Sequence, residues 1–198
     1  MTISLQKKQT ISLEKSGQSL AKIFMGLGWD VAKPKGFLGA LLGGGGASID
    51  LDASALLFDA AGSLVDTVWF RSLQSRDGSV RHAGDNLTGE GEGDDERIFV
   101  DLTRLSGNVQ SIVFTVNSFR GQTFDKVAGA FCRIVNEQGG QEIAKFNLSE
   151  QGGHTGLVMV KLVRQGGTWQ LTAVGERFTF QPGSDVVGQL TAAAARAL

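Results

Sequence analysis

Residues 48–59 read Ser-Ile-Asp-Leu-Asp-Ala-Ser-Ala-Leu-Leu-Phe-Asp, an alternation with a period of two. Successive side chains of a β-strand point to opposite faces, so Ile49, Leu51, Ala53, Ala55 and Leu57 share one face while Asp50, Asp52 and Ser54 share the other. The pattern sets two carboxylates side by side at the start of the strand, pointing the same way. Two readings follow: a solvent-facing strand with polar alternation, or a pair of convergent ligands.

The flanking chain repeats the strand signal many times. Ile3-Ser4-Leu5 and Thr10-Ile11-Ser12-Leu13 read as edge strands, and Lys22 to Asp30 as an apolar strand that ends on an acid. Lys33 to Ala47, with Pro34 and Gly43 to Gly46, breaks the pattern and is expected to be a long mobile loop carrying Phe37, Leu38, Leu41 and Leu42. Val65 to Leu73 and Ser79 to Ala83 flank Ser75-Arg76-Asp77-Gly78 as a hairpin. Strands are further expected at Arg97 to Leu105 and Val109 to Phe119, with a helical turn at Phe124 to Val127. Two more hairpins pair Gly129–Asn136 with Glu142–Leu148 and Gly156–Arg164 with Thr168–Phe178. Ser184 to Leu198 alone reads as a helix. Many short strands, Gly-rich turns and one helix predict an all-β fold, a two-sheet antiparallel β-sandwich with a short C-terminal helix. The domain is expected to span residues 1–180, with 181–198 as a helical extension.

Bulk properties narrow the function. A net charge of −1 provides no global field for nucleic acid, and the sequence shows no interleaving of basic and aromatic residues, so no nucleic-acid partner is expected. Cys132 is the only cysteine, and no signal pattern opens the chain, which favours a cytoplasmic home. No Cys or second His stands at zinc spacing from His82 or His154. No nucleophile, phosphate loop or dinucleotide fingerprint is readable, so no enzymatic activity is expected.

The strongest chemical signal lies at 84–97, Gly-Asp-Asn-Leu-Thr-Gly-Glu-Gly-Glu-Gly-Asp-Asp-Glu-Arg. Between Asp85 and Glu96 the chain places six of its 20 acids, with no Lys or Arg among them. Calcium takes six to eight oxygens from carboxylates and carbonyls at flexible geometry, and Gly89 and Gly91 allow the main chain to turn carbonyls inward. The alternative is a solvated acidic loop. An EF-hand is excluded, because Leu87, Gly89 and Glu90 stand where that motif places ligands and its glycine, and strands flank the loop. Asp50 and Asp52 are the natural helpers; Asp30 either joins them or ends its strand.

Gly26-Leu27-Gly28-Trp29-Asp30, Asp50-Leu51-Asp52-Ala53-Ser54-Ala55, Asp77-Gly78-Ser79-Val80 and the 84–96 loop together resemble the TerD family of bacterial tellurium-resistance and stress proteins. Thr115 to Gln122 and the glycine-rich insert look most like its TerZ branch. The resemblance covers residues 2 to about 180. It implies a calcium-binding β-sandwich in tellurite and chemical-stress resistance with no established enzymatic activity, and partners among other stress-response or tellurium-resistance proteins. It also implies Ca²⁺, one or two ions, near Asp30, Asp50, Asp52 and the loop, so that Asp85, Asn86, Gly89, Gly91, Asp94, Asp95 and Glu96 complete the candidate ligand set.

Two rivals of other classes remain. A C2-like calcium-dependent membrane adaptor would use Phe37, Leu38, Leu41 and Leu42 for peripheral membrane contact. A metal-dependent hydrolase would require a Lys, Arg or His convergent on the acids, and none is expected there.

Overall fold

The computed structural model of the 198-residue chain describes residues 3–4, 9–15, 18–30, 50–87, 93–147 and 152–198. The expected loop with Phe37, Leu38, Leu41 and Leu42 lies outside the described residues, as do Gly89 and Gly91. Fourteen strands are described. They are β1 (Ile3–Ser4), β2 (Thr10–Ser12), β3 (Glu14–Lys15), β4 (Gln18–Ser19), β5 (Lys22–Asp30), β6 (Leu51–Phe58) and β7 (Leu64–Val68). Then follow β8 (Val80–His82), β9 (Glu96–Asp101), β10 (Ser111–Ser118), β11 (Ala128–Asn136), β12 (Gln141–Asn147), β13 (Gly156–Gln165) and β14 (Thr168–Phe178). A 3-10 turn covers Phe124–Lys126, and helix α1 covers Val186–Ala195.

Two six-stranded sheets face one another. Sheet A runs β1-β12-β11-β5-β9-β8 and sheet B runs β2-β14-β13-β10-β6-β7, which is the expected all-β sandwich. Both N-terminal stretches are sheet edges as read: β1 adds to β12 in parallel and β2 to β14 antiparallel. Both C-terminal hairpins pair as read. Between the sheets lies one apolar core that includes Met25, Leu27, Leu51, Ala53, Ile98, Val100, Phe114, Val116 and Leu162. Cys132 is a buried free thiol in that core.

The hairpin expected across Ser75 to Gly78 is only half right. The turn exists, with Gly78 at φ 70 and its N–H on the Ser75 carbonyl, but its first arm is Leu73 to Ser75, bridged at Gln74 and Arg81. Strand β7 instead pairs with β6 in sheet B, while β8 joins sheet A. The chain crosses between sheets at residues 69–73, and local turn chemistry carries no information on which sheet an arm will join.

Helix α1 covers the outer face of sheet B. Leu190, Ala193 and Ala194 pack on Leu56, Phe58, Val113 and Val158, which explains why a strand with alternating polarity turns apolar on both faces after Ala55. Asp185 caps the helix by accepting the Gly188 N–H at 3.0 Å. At the other end Lys161 Nζ donates to the Ala197 carbonyl at 2.7 Å, a cation where the helix dipole is negative.

Candidate metal centre

One end of the sandwich gathers the acids. The start of β6 supplies Asp50 and Asp52, the segment after β8 supplies Asp85 and Asn86, and the entry to β9 supplies Asp95 and Glu96. Ligand oxygens of Asp50, Asp52 and Asp85 lie within 4.8 Å of one another. Period two has therefore aimed the first pair as read, yet the face is not solvated: Asp50 and Asp52 are each 3% exposed and Ser54 is 1%.

Glu96 joins the sheets. It is 1% exposed, and its carboxylate accepts the Ala53 N–H at 2.8 Å and the Asn86 N–H at 3.3 Å. The Ala53 N–H is free for this contact because β7 pairs with β6 only from Ala55 onward. His82 Nδ1 accepts the Gly84 N–H at 3.1 Å, which leaves the ring proton on Nε2, 3.4 Å from Glu96 Oε2. That separation is long for a hydrogen bond, and Nε2 is buried without one.

Burial and mutual repulsion dominate the electrostatics. The Asp52 carboxyl is pushed up to about 8, first by burial, then by the charges of Glu96, Asp50 and Asp85, against a hydrogen bond from Asn117. Burial and then Asp85 raise Asp50, while Arg120 pulls it down. Burial likewise raises Glu96, opposed by His82 and the Ala53 and Asn86 N–H groups. Asp95 is raised by burial and by Asp30 and Asp94, although it accepts the Trp29 N–H at 2.9 Å. Burial, and carboxylates that outnumber the Arg120 and His82 groups beside them, make this cluster resist ionisation.

Of the remaining candidates, Asp30 ends β5 exposed, near enough to Asp95 to raise it. Asn86 Nδ2 donates to Asp95 Oδ1 at 3.1 Å. Asp94 turns away from the cluster, its oxygens held by Arg133 at 2.7 Å and Arg97 at 3.2 Å.

Three neighbours were not assigned to the site from the sequence. Asn117 lies opposite Asp52 in the β6–β10 ladder, and its Nδ2 donates to Asp52 Oδ2 at 3.0 Å. Arg120 Nε stands 3.5 Å from Asp50 Oδ2, and His82 stands against Glu96. The expectation that no Arg or His converges on the acids is therefore corrected. Each is engaged by the carboxylate it touches. The signal for Asn117 is the cross-strand register, which the sequence does not display.

The donor set fits a hard cation. Every candidate atom is an oxygen, and Asp50 Oδ1 and Asn117 Oδ1 are buried without a hydrogen-bond partner. An ion drawing on Asp50, Asp52 and Asp85 would satisfy the first and relieve the repulsion among all three.

The comparisons agree with the motifs. The chain is 55% identical over 173 residues to tellurium resistance protein TerZ of Serratia marcescens, covering 87% of this chain and 89% of the relative. It is 44% identical to stress response protein SCP2 of Bacillus subtilis, covering 89% and 92%. The crystal structure of a telluride-resistance protein (TerD) homologue from Streptomyces coelicolor shares the fold, with a TM-score of 0.70 at 22% identity over 83% of this chain and 94% of the other. Residues 1–181 match the TerD domain, and the chain belongs to the TerD family.

Proposed function

We propose that the protein is a calcium-binding module of tellurite resistance and the general chemical stress response, working in the cytoplasm by docking to other proteins of that response rather than by catalysis. The observation that carries this is the convergence of Asp50, Asp52 and Asp85 within 4.8 Å, with Asp50 Oδ1 buried and unpaired. The names of the relatives from Serratia marcescens and Bacillus subtilis support the biological setting. Among the described residues no helix is long and apolar enough to cross a membrane.

The chain's own residues prepare the site. Asn117 orients Asp52, Arg120 holds one oxygen of Asp50 at the rim, and Glu96 ties the acidic segment to β6. Asp50, Asp52 and Asp85 would hold a divalent ion, which would supply positive charge beyond that of Arg120 and His82 and tie the acidic segment to β6. Calcium is favoured over magnesium because carboxylates from separate segments give a flexible geometry, whereas Mg²⁺ demands a near-ideal octahedron and retains water.

Calorimetric titration tests the reading. Wild type should bind Ca²⁺ in preference to Mg²⁺, and Asp50→Asn with Asp52→Asn should weaken calcium at least tenfold, about 1.4 kcal/mol. Equal affinity for both ions, or an unchanged double variant, would refute it.

A further inference from the structure

The segment entering β9 lies across β5. Asp95 N–H donates to the Leu27 carbonyl at 2.8 Å, and Trp29 N–H donates to Asp95 Oδ2 at 2.9 Å. Two glycines of β5 make room for this crossing. A Cβ at Gly26 would fall into the Asp94 carboxylate, and one at Gly28 would meet the Gly93 carbonyl and the Phe131 ring.

The register of sheet A then decides what surrounds Asp94. Lys145, Arg133, Gly26 and Arg97 stand opposite one another across β12, β11, β5 and β9, a row of cations interrupted by the glycine notch. Asp94 fills the notch with its side chain fully buried. Arg133 grips it with both arms of the guanidinium, Nε to Oδ1 at 2.7 Å and Nη2 to Oδ2 at 2.9 Å, and Arg97 Nε adds a contact at 3.2 Å. Glu142 holds Arg133 from the far side at 3.4 Å. Bidentate charge-assisted pairs of this kind fix orientation as well as energy.

We propose that Arg133 is a positioning residue for the cation site, acting through Asp94, and that Asp94 anchors the acidic segment instead of ligating the ion. The proposal rests on the calcium reading above. To reach an ion, Asp94 would have to abandon two guanidinium groups and leave a buried notch. By staying, it sets where the next two residues go: Asp95 meets Asn86, and Glu96 reaches the Ala53 N–H beside Asp52.

The two roles for Asp94 differ in the sign of one measurement. If Asp94 were a ligand, removing its competing cation would leave calcium affinity unchanged or tighter. As an anchor, its loss of Arg133 loosens the segment and weakens binding. We therefore expect Arg133→Met in the full chain to weaken Ca²⁺ at least tenfold by calorimetry, Arg133→Lys to recover part of that loss, and Asp94→Asn with Arg133→Met to cost no more than the worse single change. Calcium binding by Arg133→Met as tight as wild type, or tighter, overturns the proposal. Amide hydrogen exchange in chelator reads the anchor without the ion. Arg133→Met should speed exchange at the Asp95 N–H and leave the Val113 N–H of β10 unchanged, whereas equal protection of Asp95 in both proteins overturns the anchor. Should wild type bind no calcium, the calcium reading fails, and the exchange result alone decides the anchor.

Discussion

Replacing Asp52 with Asn should make the metal-free protein more stable. Asp52 is 3% exposed, and its carboxyl is pushed up to about 8 by burial and by the charges of Glu96, Asp50 and Asp85. In the unfolded chain the same group ionises near 4. Between those values the native state keeps a proton that the unfolded chain has released, so stability falls as pH rises, by about 1.4 kcal/mol per unit. At pH 7 the accumulated cost is about 4 kcal/mol. Asn has the same shape and still accepts from Asn117 Nδ2, which stands 3.0 Å from Asp52 Oδ2, but it holds no proton. Side-chain relaxation and water entry reduce the effect, so roughly 2–4 kcal/mol is expected, a rise in melting temperature of about 4–16 °C for a domain of this size. The assay is thermal unfolding in chelator from pH 4 to pH 7. The gap between variant and wild type should be widest at pH 7 and close toward pH 4, where the unfolded chain begins to take up the proton that the native state already holds. A variant that melts at or below wild type at pH 7, or a gap indifferent to pH, would show that the cluster carries no such strain.

Three further outcomes are expected. Asp77 is raised by burial, but the Ser79 hydroxyl and N–H, the Ser75 hydroxyl and the Ser106 N–H outweigh that and bring its carboxyl to about 2. Its contribution to stability is therefore present above pH 4 and lost as pH falls toward 2, and an NMR titration should find its midpoint there; a midpoint near 4 would contradict the bonding. Thr155→Val removes a buried hydroxyl that donates to the Phe180 carbonyl at 3.0 Å and accepts the Phe180 N–H at 2.8 Å, which should cost about 1–3 kcal/mol in urea unfolding. Leu190→Ala empties the fully buried contact between α1 and sheet B and should cost about 2–5 kcal/mol, whereas a loss under 0.5 would mean the helix does not pack there.

What the sequence revealed tracks how local each feature is. The β11–β12 and β13–β14 hairpins pair neighbours across tight glycine turns, and alternation plus turn residues were enough to place them. The partners of β7 and β8 depend on the whole sandwich, and the local signal mispaired them. The site divides in the same way. Asp50 and Asp52 were legible because period two acts within one strand. Their burial was not, since it requires β10, the acidic segment and β9 to close over them. Asn117 stands 65 residues from Asp52, and only the register brings it there. Asp94 was grouped with its acidic neighbours because charge counting sees adjacent residues, while the guanidinium that claims it lies 39 positions further on.

The N-terminal clasp bears on how the molecule is assembled. Strands β1 (Ile3–Ser4) and β2 (Thr10–Ser12) are close in sequence, yet one closes an edge of sheet A and the other an edge of sheet B. Their partners, β12 and β14, come from Gln141–Asn147 and Thr168–Phe178. During synthesis the clasp therefore emerges long before anything exists for it to hold. Until the last strands appear, both edges stand open with unpaired backbone groups, the condition under which chains pair with one another. Contacts so distant along the chain also slow folding. The clasp can therefore close sheet A only once β12 has been made and sheet B only once β14 has, so the first strands to be made are among the last to be paired.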